Sequence, residues 1–124
     1  MSTIKILESS ENYLEAILML KQQKGEVRSV DIANKLGFSK ASVSVAMKNL
    51  KNNNYISIDE KGFISLKPSG LEIAENILAK HELITNILIK LGVDSQVASE
   101  DACRIEHALS DESYEAIKNF IQNR

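Results

Sequence analysis

The apolar positions along the chain follow two periods. Tyr13, Leu14, Ile17, Leu18 and Leu20 recur at three- and four-residue spacing, which predicts a helix capped by Ser9 or Ser10 and running to about Gln23 before Lys24-Gly25 ends it. Ser29 then caps a short helix carrying Val30, Ile32, Ala33 and Leu36, with Gly37 placed to close it in a left-handed conformation. Ser39 caps another, whose stripe is Val43, Ala46, Met47 and Leu50 and whose stop is Asn52-Asn53-Asn54. Here the period changes to two: Tyr55-Ile56-Ser57-Ile58 and Phe63-Ile64-Ser65-Leu66 predict short strands around the turn Asp59-Glu60-Lys61-Gly62. Helical spacing returns after Lys67-Pro68-Ser69-Gly70, where Ile73, Ile77, Ile84 and Leu88, with His81 on the same stripe, predict a long helix ended by Gly92. Asp94 caps a helix with Ala98, Ala102, Ile105 and Leu109 on one side. Ser110 caps the last, in which Tyr114, Ile117, Phe120 and Ile121 are the apolar positions.

This order predicts a mainly α fold: a winged helix-turn-helix with a two-stranded wing over residues 1–70, then a helical dimerisation domain over 71–124. The two short helices joined by Gly37-Phe38 match the helix-turn-helix pattern, whose second helix enters the DNA major groove. On that helix Ser39, Lys40, Ser42, Ser44, Val45 and Lys48 avoid the apolar stripe and are free to face outward. Candidate DNA contacts are Arg28, Ser39, Lys40, Ala41, Ser42, Ser44, Lys48 and, in the wing turn, Lys61, although Asp59 and Glu60 beside it would resist a phosphate. The helices after residue 70 hold more apolar surface than three helices bury readily alone, so self-association is expected through them.

Charge sharpens this division. A net charge of -2 for the 124 residues conceals -2 over residues 1–20, +5 over 21–70 and -5 over 71–124. The basic middle suits a polyanion, and the acidic remainder a cation or a protein. No apolar run approaches the roughly 20 residues of a membrane span, and the first residues lack the apolar core of a signal peptide. A cytoplasmic protein without membrane partners is expected. Hydrophobic content of 44% with one Pro and five Gly describes a chain that folds.

Candidate chemistry concentrates in Asp101-Ala102-Cys103-Arg104-Ile105-Glu106-His107. On a helix Cys103, Glu106 and His107 share a face, presenting thiolate, carboxylate and imidazole to a divalent transition ion. The single Cys forms no internal disulfide, and a winged-helix regulator using Cys103 as a redox or thiol sensor is the alternative. There is no phosphate loop and no oxyanion-hole motif, so neither an enzyme nor a small organic ligand is expected.

With Glu11-Asn12-Tyr13-Leu14-Glu15 and Lys80-His81-Glu82-Leu83, that segment resembles the diphtheria toxin repressor family, which includes the manganese transport regulators. The resemblance covers nearly the whole chain. It implies a repressor that binds an operator as a homodimer and is switched on by Fe(II) or Mn(II) at the junction of its two domains. It places metal ligands at His81, Cys103, Glu106 and His107, with Glu15 at a ligand position of manganese-type members. Asn12 stands where iron-type members have Met and manganese-type members Asp. Cys103 is iron-type and Glu15 manganese-type; because the thiolate makes the donor set softer, Fe(II) is favoured, Mn(II) is runner-up, and Zn(II) or Co(II) fits the site in vitro. Thr85 and Ser99 replace an acid and a His of the iron-type ancillary site, which is expected to be missing or rebuilt.

Overall fold

The computed structural model describes residues 8–123 and divides into two compact units, Met1–Glu75 and Asn76–Arg124. The first unit holds α1 (Glu8–Lys24), α2 (Ser29–Leu36), α3 (Lys40–Asn52), β1 (Ile56–Ile58) and β2 (Ile64–Leu66). α4 (Pro68–Lys90) runs on into the second, which also contains α5 (Ser95–Ile105) and α6 (Asp111–Gln122). This is the winged helix-turn-helix and helical region expected from the pattern. No helix among the described residues is long and apolar enough to cross a membrane.

α1 and α3 pack against α2, and the antiparallel hairpin sits on α1 and α3. Leu14, Ile17, Val27, Ile32, Val43, Met47, Ile56 and Ile64 are the deeply buried core. Ser9 and Ser10 lie inside α1 rather than at its cap. Ser29 is likewise the first residue of α2; Arg28 is its N-cap, and the Asp31 carboxylate accepts from the Arg28 N–H at 2.9 Å and from Lys24 Nζ at 2.7 Å. Gly37 closes α2 at φ 75°, and the Ser39 hydroxyl caps α3 by accepting from the Ser42 N–H.

The strands are each one residue shorter than the pattern suggests, paired Ile56 to Leu66, Ser57 to Ser65 and Ile58 to Ile64. Ile64 N–H also donates to the Val27 carbonyl at 2.7 Å, so the segment between α1 and α2 adds a further rung beside β2. The first turn of α4 crosses the start of the hairpin closely: Lys67 N–H donates to the Tyr55 carbonyl, and a Cβ at position 70 would collide with that same oxygen. Gly70 is therefore required by close approach, not by its dihedral angles.

In the second unit Asp94 caps α5 and Ser110 caps α6, each accepting from a backbone N–H in the first turn. α5 ends sooner than its pattern implies. Ala98 and Ala102 are fully buried, but Ile105 is its last residue and is exposed, and 106–108 form a turn. That turn stays tight because Glu106 N–H still donates to Ala102 O, while Ala108 and Leu109 both donate to Ile105 O.

Candidate metal centre and DNA-binding face

The turn after α5 aims Glu106 inward. Its side chain is 0% exposed, with Oε1 at 2.7 Å from His81 Nδ1 on α4 and Oε2 at 3.4 Å from His107 Nε2. An ionised carboxylate only accepts, so at the short contact His81 Nδ1–H donates. That hydrogen bond to Glu106 holds the His81 imidazolium above its ordinary range, an effect that burial partly opposes. The 3.4 Å contact lies within ion-pair reach yet is not a hydrogen bond, and Glu106 Oε2 has no hydrogen-bond partner.

One ligand atom each from His81, Cys103 and Glu106 lies within 4.8 Å of the others. In tetrahedral surroundings donors at bonds of about 2.0–2.3 Å stand roughly 3.3–3.8 Å apart, so the three atoms come onto one ion by closing at most about 1.5 Å. A fully buried carboxylate with an orphaned oxygen is costly unless a positive charge compensates it. An imidazole nitrogen, a thiol sulfur and a carboxylate oxygen are a donor set for a divalent transition metal, and the residues fit one. Cys103 stands at the exposed edge of this group, whereas the His107 side chain is 3% exposed. Cys103 groups with Glu106 and His81, while His107 meets Glu106 through its Oε2. Asn12 and Glu15 lie on α1 of the first unit, Asn12 half-buried and Glu15 buried.

The pattern did not single out Lys80, which is 6% exposed, donates from Nζ to the Leu109 carbonyl at 2.8 Å and pairs with Asp111 at 3.0 Å. It ties the turn carrying Glu106 and His107 back to α4. Its spacing was a usable signal, since Lys80 falls three residues after buried Ile77 and four before buried Ile84.

Ser39, Lys40, Ala41, Ser42, Ser44 and Lys48 are all exposed at and along α3. The Ser39 hydroxyl donates to Ser42 Oγ while it caps, which leaves the Ser42 O–H as the hydroxyl able to donate outward. Arg28 is exposed, with its guanidinium 4.4 Å from the centroid of the Phe63 ring. At the exposed wing tip Asp59 Oδ1 accepts from the N–H groups of Lys61 and Phe63, so this acid is engaged in building the turn.

A winged helix followed by a helical unit with a metal-type donor cluster defines a class of metal-responsive DNA-binding regulators. Residues 5–63 match the model of the iron dependent repressor N-terminal DNA binding domain, and residues 67–124 that of the iron dependent repressor metal binding and dimerisation domain. The chain belongs to this iron-dependent repressor family. It is 37% identical over 117 residues to an uncharacterised HTH-type transcriptional regulator of Methanocaldococcus jannaschii, covering 93% of this chain and 94% of that protein. It is 33% identical over 115 residues to the transcriptional regulator MntR of Salmonella typhimurium, covering 93% of this chain and 73% of that one. Among solved structures, T. acidophilum IdeR superposes with a TM-score of 0.81 at 25% identity. That match covers 98% of this chain but spans only 56% of the IdeR chain. The thiol-sensor alternative for Cys103 finds no support in these matches.

Proposed function

We propose that this protein is a homodimeric DNA-binding repressor of metal-ion homeostasis genes that is activated by a divalent metal, with Fe(II) favoured and Mn(II) the runner-up. The observation that carries the proposal is the buried Glu106 carboxylate, whose Oε2 lacks a hydrogen bond, in the unit that matches a metal-binding domain. His81, Cys103, Glu106 and His107 would hold the ion, and the family pattern adds Glu15 and Asn12 from α1. A bound ion supplies the positive charge that the carboxylate and a Cys103 thiolate require. The chain's own part is to deliver these donors deprotonated: the Cys103 thiol and the His81 imidazolium give up protons as they ligate. Metal binding is linked to DNA binding because an ion favours whichever arrangement of the protein it binds better. Lys40 and Lys48 neutralise phosphates, Ser42 and Ser44 approach base edges, and the two α3 helices of the dimer stand about one DNA turn, ~34 Å, apart.

Intrinsic affinity for such a site rises from Mn(II) through Fe(II) to Co(II) and Zn(II), and the thiolate widens the gap between iron and manganese. Anaerobic calorimetry with Fe(II) and Mn(II) on wild type and Cys103→Glu, in buffers of different ionisation enthalpy, tests the assignment. The wild type should bind Fe(II) more tightly than Mn(II) and release one more proton than the variant, in which a harder oxygen shifts preference toward Mn(II). Tighter Mn(II) binding by wild type with no extra proton would remove Cys103 from the site.

A further inference from the structure

We infer that Val45 is a specificity-determining residue, placing its two methyl groups against the 5-methyl of a thymine in the major groove. The inference rests on α3 being the helix that enters that groove.

Val45 is the sixth residue of α3 and is 60% exposed, more than Val30 at 38% or Val97 at 45%. At about 100° per residue it lies roughly 200° from fully buried Val43, so it projects away from the core. Ala41 precedes it by one turn on the same line, and Ser42, Ser44 and Lys48 flank it. A lone exposed valine is ordinary on a protein surface. Here, however, a β-branched residue in mid-helix is disfavoured by propensity and buries little in return. Its neighbours are hydroxyls and an ammonium, which suit a polyanion and not an apolar protein partner. Within DNA the group that an aliphatic side chain can read in the major groove is the thymine methyl, which the other three bases lack. The polar neighbours orient the helix on the backbone, and Val45 supplies contact with one base.

The test uses duplexes selected from a random pool by the wild-type protein loaded with Mn(II), with each dT then replaced singly by dU to delete only the methyl group. Affinities of wild type and Val45→Ala for each duplex complete a double-mutant cycle. Wild type should lose about three- to five-fold at one position per half-site, the worth of one buried methyl group. Val45→Ala should show no loss there while keeping the wild-type salt dependence, since it touches no phosphate. As Ala is the better helix former at an exposed site, the variant folds. Specific binding in which Val45→Ala pays the same dU cost as wild type at every position overturns the Val45 assignment alone. Failure of the wild type to select any duplex overturns the repressor reading, and this assignment with it.

Discussion

Glu106 concentrates the chemistry of the proposed metal centre at a single side chain. Its two oxygens face two different imidazoles, and one of them is buried without a hydrogen bond. Glu106→Gln keeps the shape and removes the charge, so it separates packing from ligation. Metal affinity should fall by more than the roughly 10–100-fold that even outer partners of a ligand are worth. Calorimetry of the variant checks this, and an unchanged affinity would place the ion elsewhere. Much of this was legible in advance. The three- and four-residue spacing of Cys103, Glu106 and His107 brought them together on paper, and His81 already lay on the inward stripe of α4. What spacing could not supply is the division of labour around Glu106, because it depends on the helix giving way to a turn after Ile105.

Among the elements, the segment between α5 and α6 is held by one buried ammonium. Lys80 donates to the Leu109 carbonyl and meets Asp111 at the start of α6. Lys80→Met should cost about 1–3 kcal/mol by leaving that carbonyl unmatched. Metal affinity should fall with it, because the turn bearing Glu106 and His107 loses its tether. Asp111→Asn, on a side chain 78% exposed, should cost under about 1 kcal/mol and leave metal binding unchanged. Thermal unfolding and calorimetry on both variants measure this, and equal effects would contradict the tether. The elements were legible wherever caps and periodicity agreed, as at Ser39, Asp94 and Ser110. Ser9, Ser10 and Ser29 misled because a serine at a cap and one just inside the helix look alike until the backbone angles are known. Val27 and Gly70 gave no warning, since each acts through a partner in the hairpin, Ile64 and Tyr55, far along the chain.

For the molecule as a whole, the second unit buries too little of its own apolar surface. α6 contributes no buried residue, and Ile87, Leu91, Ile117, Phe120 and Ile121 line an open groove of about 790 Å³ between α4 and α6. Leu91 is 75% and Phe120 64% exposed. A second copy of the chain is the occupant that the family's dimerisation domain supports. Sedimentation should find a dimer at micromolar concentration with or without metal, and Leu91→Asp should shift it toward monomer. A wild-type apoprotein that sediments as a monomer would tie assembly to the ion.

We propose that DNA binding by this protein is under the control of the metal ion. The most direct measurement of that control is the affinity of the dimer for a selected duplex across an anaerobic Fe(II) titration, repeated with Mn(II) and with Glu106→Gln. The wild type should bind weakly without metal and at least about tenfold more tightly once the site fills, within the usual range of allosteric coupling. Glu106→Gln should stay in the weak state throughout. Equal affinity with and without metal, or activation that survives in Glu106→Gln, would contradict the account.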